Sequence, residues 1–255
     1  MTRIAAVGDI HVGPDSAGKL APGFRHLSER ADALLVAGDL TRRGTPHEGE
    51  ILLGELAGVD VPIIAVLGNH DVESDRQDEL VAVLEEGGVT MLDGTTTVVT
   101  CADGGSVGVA GVKGFGGGFA GACGTAFGER VMKEFVRETE REAAKLKDAL
   151  TSLETDHRIA LLHFSPIEAT LAGERLEIFP FLGSYLLAEA VDTAGADLAL
   201  HGHAHHGSER GVTPGGTRVR NVAQPVIGES YRVYEFAAAR SNGAAPATGE
   251  VAAVH

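Results

Sequence analysis

Cysteine is nearly missing from this 255-residue chain. Cys101 and Cys123 are its only thiols and are not closely spaced, so neither a disulfide framework nor a thiolate zinc site is suggested. Long apolar runs are missing as well. No stretch approaches the roughly 18 apolar residues that a membrane helix needs, and the first run breaks at Gly8 and Asp9, too early for a signal-peptide core. A soluble, cytoplasmic protein with no membrane partner is expected. Basic residues are in deficit, with 21 Lys and Arg against 36 Asp and Glu and a formal charge of -15. That charge repels phosphate backbones at long range, so non-specific nucleic-acid binding is not expected. Repeats of solenoid period are absent too.

What is present is a chain that is 44% hydrophobic, at a length where one α/β domain is common. One domain is expected over residues 1–236, followed by a disordered tail over 237–255, where Ala, Gly, Pro and Ser dominate. Three early apolar runs end alike: Ile4 to Val7 runs into Asp9-Ile10-His11, Leu34 to Ala37 into Gly38-Asp39, and Ile63 to Val66 into Gly68-Asn69-His70-Asp71. Their spacing of about 30 residues fits repeated strand-helix units that deliver polar groups to one edge of a sheet.

Phe24, Leu27 and Ala31 at helical spacing predict a helical first crossover, and Ile51 to Leu56 a second helix closed near Gly58. Ser74 is the expected N-cap of a helix carrying Leu80, Val81, Val83 and Leu84, which Gly87-Gly88 ends. Residues 95–100 and 106–112 read as a hairpin around Asp103-Gly104-Gly105. The 114–121 stretch is too glycine-rich for a regular element and can serve either as a lid or as a linker. A long charged helix over 127–153 and a strand ending at His163 follow. Next come a helix over 184–193, a strand entering His201-Gly202-His203-Ala204-His205-His206, and final strands over 217–222 and 231–236.

Asp9, Asp39, Asn69, His163 and His203 each terminate an apolar run, and each is a ligand type for a first-row metal. Singly, each is adequately explained as a turn former, a cap or a hydrogen-bonded histidine. Together, five such terminations are improbable by chance. Side chains at His203 and His205 share a face if the strand continues and diverge if Gly202 starts a turn, in which case each imidazole can serve a different ion. The donors are nitrogen and oxygen only, which suits Mn, Fe, Zn, Co or Ni. Such ions would supply the local positive charge that lets an acidic protein take a small phosphorylated substrate.

Asp9-x-His11, Gly38-Asp39 with Gly44, Gly68-Asn69-His70-Asp71, His163 and Gly202-His203-x-His205 resemble, in order and spacing, the five blocks of the calcineurin-like metallophosphoesterases. The resemblance covers roughly residues 3 to 222. It implies a four-layer α/β/β/α sandwich with two mixed β-sheets and metals at the strand ends. By that resemblance two first-row ions (Mn, Fe or Zn) are held, one by Asp9, His11 and His205, the other by Asn69, His163 and His203, with Asp39 bridging. His70 would face the substrate, stabilising the transition state or protonating the departing oxygen. The implied chemistry is hydrolysis of a phosphate ester by a metal-bridging hydroxide; two dications, two aspartates and one hydroxide leave about +1 to attract a phosphate oxygen.

Where the family's protein phosphatases carry Asp-Arg-Gly after their Gly-Asp, this chain reads Arg42-Arg43-Gly44, which disfavours that role. Gly-Asp-Leu-Thr and Gly-Asn-His-Asp look more like the bacterial branch related to cyclic-nucleotide phosphodiesterases. A phosphodiesterase acting on a nucleotide-like or other small substrate is expected; a phosphomonoesterase, a nuclease and a non-catalytic metal-binding scaffold are the alternatives. Arg43, Lys113 and His206 are candidate substrate contacts, and His201 is weighed with them. Asp71 receives no role beyond a supporting or helix-capping group.

Overall fold

Strands rich in Ala, Val, Leu and Ile with no polar alternation, such as Ala33–Ala37, are buried on both faces and belong in the middle of a layered structure. The computed structural model describes residues 1–237; the expected tail lies, from residue 238 onward, outside the described residues. Its strands are β1 (Thr2–Val7), β2 (Ala33–Ala37), β3 (Ile63–Val66), β4 (Val89–Met91), β5 (Thr95–Thr100), β6 (Ser106–Val112), β7 (Gly118–Phe119), β8 (Ala122–Cys123), β9 (His157–Leu162), β10 (Leu198–His201), β11 (Arg210–Val212), β12 (Arg218–Asn221) and β13 (Arg232–Phe236). The helices are α1 (Pro46–Leu56), α2 (Gln77–Glu86), α3 (Arg130–Thr151), α4 (Phe179–Leu182), α5 (Tyr185–Ala194) and α6 (Gln224–Ile227).

The first large sheet has the order β13-β1-β2-β3-β4, and the second β11-β12-β10-β9-β6-β5. β1 to β4 run parallel with β13 antiparallel, whereas β6, β9, β10 and β12 run parallel with β5 and β11 antiparallel. Three apolar clusters separate four layers. Ile4, Leu35, Ile64, Val107, Ile159, Leu161 and Leu200 interleave between the sheets. Leu34, Val36, Leu52, Leu56, Leu80 and Leu84 join the first sheet to α1 and α2, and Val112, Leu146, Leu150, Leu162, Leu187 and Val191 join the second to α3 and α5. The expected α/β/β/α sandwich of two mixed sheets is therefore the observed architecture. Among the described residues no helix is long and apolar enough to cross a membrane.

Several local expectations change. The first crossover is not an α-helix but two 3-10 turns, Ala21–Phe24 and Leu27–Glu29. The buried Glu55 carboxylate of α1 accepts the N–H groups of Gly18, Leu20 (2.7 Å) and Ala21 (2.9 Å), pinning a segment that Gly18, Pro22 and Gly23 keep from propagating a helix. Ser74 is not the cap of α2, which starts at Gln77 after Arg76; its hydroxyl donates to the Gly44 carbonyl at 2.8 Å instead. The glycine-rich stretch does form a regular element, the small β7–β8 hairpin. Gly118 there has φ +93, and a Cβ on it would meet the Ala122 carbonyl oxygen at 2.2 Å, so no other residue fits.

Leu161, wholly buried between the sheets, tests this packing. Leu161→Ala is expected to lower the unfolding free energy by about 2–5 kcal/mol, read as a reduced urea midpoint at unchanged slope. A loss below about 1 kcal/mol would contradict a tightly shared inter-sheet core.

Candidate metal centre

The carboxyl ends of β1, β2 and β3 in one sheet, and of β9 and β10 in the other, meet at one edge of the sandwich. Backbone hydrogen bonds continue past the strands: Asp9 N–H donates to the Gly38 carbonyl (3.0 Å), His11 N–H to Asp39 (3.0 Å) and Gly202 N–H to His163 (3.1 Å). Asp9 (φ 56), His11 (φ 44), Asp39 (φ 49) and His203 (φ 70) all adopt the left-handed backbone region. Non-glycine residues visit it at a cost on the order of 1 kcal/mol or more. Here it turns consecutive side chains back over the strand ends, so that groups from separate loops converge.

One ligand atom from each of Asp9, His11, Asp39 and His205 lies within 4.8 Å of the others, and the same holds for Asp39, His163 and His203. Asp39 belongs to both groups. Its Oδ2 is 3.7 Å from His11 Nε2, and its Oδ1 is 3.4 Å from His163 Nε2. Asn69 Oδ1 lies 2.8 Å from His163 Nε2, which places it in the second group. His203 and His205 diverge through the turn after Gly202, His205 Nε2 reaching Asp9 Oδ1 at 2.8 Å while His203 packs 4.7 Å from His163, centroid to centroid.

The imidazoles are held by their other nitrogens. His163 Nδ1–H donates to the Ala37 carbonyl at 3.0 Å, leaving Nε2 with a lone pair directed at Asp39 and Asn69. His203 Nε2–H donates to the Phe181 carbonyl at 3.1 Å, leaving Nδ1 as its lone-pair nitrogen. Burial pushes His163 well below the usual histidine range and His203 down to about 3, and the adjacent His163 imidazole further disfavours a proton on His203. Burial likewise lowers His11. Neutral imidazoles and buried carboxylates set nearly in contact are what a divalent cation requires and what its charge stabilises. The donor set therefore fits metal ions.

Proton affinity differs between the groups. Burial raises Asp9 to about 6, and the hydrogen bond that His205 Nε2–H donates to the Asp9 carboxylate raises His205. A neutral Asp9 and a protonated His205 cannot ligate.

His70 lies outside both groups but beside them, its ring centroid 4.7 Å from that of His11. Its N–H donates to Asp39 Oδ1 (2.8 Å) and its Nδ1–H to the Arg42 carbonyl (2.9 Å), which leaves Nε2 free on a side chain that is 39% exposed. Of the other candidate contacts, Arg43 and His206 are exposed and belong to neither group. Lys113 is partly buried; its carbonyl accepts the N–H groups of His163 and Phe164, both at 3.1 Å. His201 is wholly buried and bonded to Thr170 Oγ1 (2.8 Å) and the Gly202 carbonyl (2.7 Å), so it supports the His203 turn and cannot touch a substrate.

Asp71 proves to be the support that sequence reasoning left unassigned. It is wholly buried, and its carboxylate accepts from Leu40 N–H (3.1 Å), Thr41 N–H (2.8 Å), Thr41 Oγ1–H (2.7 Å) and Gly68 N–H (2.8 Å). Its position directly after His70, in the polar run that follows β3, was the only sequence signal for it.

The fold and the paired Asp/His groups define a metal-binding α/β protein of layered architecture. A family model described as calcineurin-like phosphoesterase matches residues 2–207, and the chain belongs to that family. Among solved structures it is similar to the phosphopantetheinyl hydrolase of Mycobacterium tuberculosis, with 19% identity and a TM-score of 0.69 over 95% of this chain and 99% of that one. It is also similar to a putative 5'-nucleotidase from Staphylococcus aureus, with 14% identity and a TM-score of 0.53 over 86% of this chain and 48% of that one. At these identities the likeness is one of fold. Among curated proteins no match is found.

Two outcomes follow from the site's geometry. Lowering the pH from 7 to 5 crosses the Asp9 value of about 6 and favours protonation of His205, whose affinity for a proton is raised, whereas burial keeps His163 and His203 disposed to stay neutral, so the Asp9–His205 group is expected to release its ion first. Metal-to-protein ratios after dialysis check this; simultaneous loss from both groups would contradict it. Asp71→Asn places an amide NH2 among donors and is expected to cost on the order of 1–3 kcal/mol in unfolding free energy, measured by denaturant titration.

Proposed function

We propose that the protein hydrolyses phosphate esters with two first-row metal ions (Mn, Fe or Zn), and that its substrate is a phosphodiester of a nucleotide-like or other small alcohol. The observation that carries this reading is Asp39, set between two donor groups with the free Nε2 of His70 beside them. Asp9, His11 and His205 would hold one ion and Asn69, His163 and His203 the other, with Asp39 shared. When bound, such a pair supplies a water nucleophile activated at neutral pH and charge to neutralise the phosphoryl oxygens.

The chain's own part is positional. Ala37 and Phe181 carbonyls fix the imidazole tautomers that present lone pairs inward. The Arg42 carbonyl fixes His70 so that its Nε2 can carry a proton to the departing alkoxide or hydrogen-bond the phosphoryl oxygen. Arg43, Lys113 and His206 are the remaining candidate contacts for the substrate's anionic group. Arg42 stands where the family's protein phosphatases have Asp, which supports a small substrate. The similar fold of a phosphopantetheinyl hydrolase and of a putative nucleotidase favours organophosphate esters of modest size, and a cytoplasmic setting is part of the reading.

Metal-reconstituted protein should turn over chromogenic phosphodiesters faster than monoesters. Asp39→Ala should abolish turnover together with metal retention, and Asn69→Ala should weaken retention. His70→Ala should keep both ions and slow kcat by about 10²–10⁴. No turnover with Mn, Fe or Zn, or activity that survives Asp39→Ala, would overturn the proposal.

A further inference from the structure

A cavity of 540 Å³ opens between α2 and α3 beside the metal centre. Its walls include Leu67, Met91 and Lys113, residues just past or at the ends of β3, β4 and β6, and therefore at the edge where the donor groups converge. Leu67 and Val72 bracket the loop that carries Asn69 and His70, and the Lys113 carbonyl holds the backbone of the ligand His163. The volume suits a nucleoside-sized or smaller organic group, and nothing in the metal centre itself uses it.

The lining is mixed in character. At the inner end the Lys113 ammonium rests over the rings of Phe115 (5.2 Å) and Phe164 (5.3 Å) and donates to the Gly114 carbonyl at 3.3 Å. Its acidic neighbour Glu142 is engaged already, accepting from Gly114 N–H (2.9 Å) and Lys145 Nζ (2.9 Å). The wall beyond is apolar, formed by Leu67, Val72, Val81, Met91 and Leu92. On α2, Asp78 and Glu85 flank Val81 at helical spacing, are exposed, and have no basic partner among the described residues. Lys145 is held by Asp93 (2.9 Å) as well as by Glu142, and Glu138 pairs with Arg141. The cavity therefore combines one ammonium near the ligand edge, an apolar wall, and two α2 carboxylates without basic partners among the described residues.

We propose that this cavity binds the alcohol arm of the substrate, and that the arm is a partly apolar group bearing an amine or quaternary ammonium. A phosphate at the metal centre then lies toward Lys113, the carbon chain crosses Val81 and Leu92, and the cation reaches Asp78 and Glu85. A second phosphate or a polyanionic arm would be repelled there. The assignment rests on the phosphoester reading and narrows its substrate class.

Two diesters with the same leaving group separate the possibilities: p-nitrophenyl phosphorylcholine and its neutral isostere p-nitrophenyl 3,3-dimethylbutyl phosphate. With metal-loaded protein, kcat/KM is expected to favour the choline ester by about fivefold, and the double variant Asp78→Asn, Glu85→Gln to erase that preference. Equal kcat/KM for the two esters would overturn the inference and leave the hydrolase reading intact. Ligand-observed NMR of choline with metal-stripped protein reads the cavity without turnover. Contacts that vanish in the double variant support the proposal, and no contact with the unaltered protein overturns it. Failure of both esters to react while choline still binds would sink the hydrolase reading, and with it the assignment to a substrate arm, and leave only a cation-binding cavity.

Discussion

One buried carboxylate holds the working edge of this protein together. Asp71 draws donors from Leu40, Thr41 and Gly68, so a single side chain ties the loop after β2 to the loop after β3. Asp39 comes from the first loop and Asn69 and His70 from the second, and their mutual placement depends on that tie. The loops are packed so tightly that a Cβ on Gly68 would meet Asp39 Oδ1 at 2.1 Å, and one on Gly202 would meet Asp9 Oδ2 at 2.3 Å. Glycine is needed at both positions for lack of room, not for an unusual backbone angle.

The electrostatics explain why such an edge is not self-sufficient. Burial raises both Asp9 and Asp71 to about 6. A carboxyl whose folded pKa exceeds its unfolded value of about 3.8 stabilises the fold fully only below that value, and its contribution is lost as the pH rises through about 6. At neutral pH both are liabilities in the metal-free protein. Asp71 recovers part of the cost through its four hydrogen bonds, while Asp9 sits beside a second carboxylate, Asp39, which raises it further. Divalent charge reverses the balance at Asp9 and favours imidazoles that burial already keeps neutral. Fold stability and metal loading are thereby linked through the same few atoms.

Much of this was legible in the sequence, for a physical reason. Fully buried parallel strands are unbroken apolar runs, so a polar residue at their ends stands out, and Asp9, Asp39, Asn69, His163 and His203 were visible on that ground alone. What was not legible depends on contacts distant in sequence. The 3-10 form of the first crossover is fixed by Glu55 from α1, and Ser74 is drawn from its helix by the Gly44 carbonyl. β4 and β11 are three-residue strands, too short to show a period. His201 looked like its neighbours in a histidine-rich run, and only its burial against Thr170 separates it from them. The tie made by Asp71 could not be read from a residue type that serves equally well as a cap.

The bond from His203 Nε2–H to the Phe181 carbonyl joins a candidate ligand to a four-residue helix on the surface, where the Phe181 side chain is 60% exposed. A proton on Nε2 is what leaves Nδ1 available to an ion, so the tautomer of an inner ligand is set by the backbone of an outer turn. Linkage then works in both directions. Were an ion held at His203, whatever orders α4 would tighten the hold on it, and the ion would stiffen α4 by the same free energy. Phe181 would in that sense be a handle on the candidate metal centre, reachable from solvent without entering it.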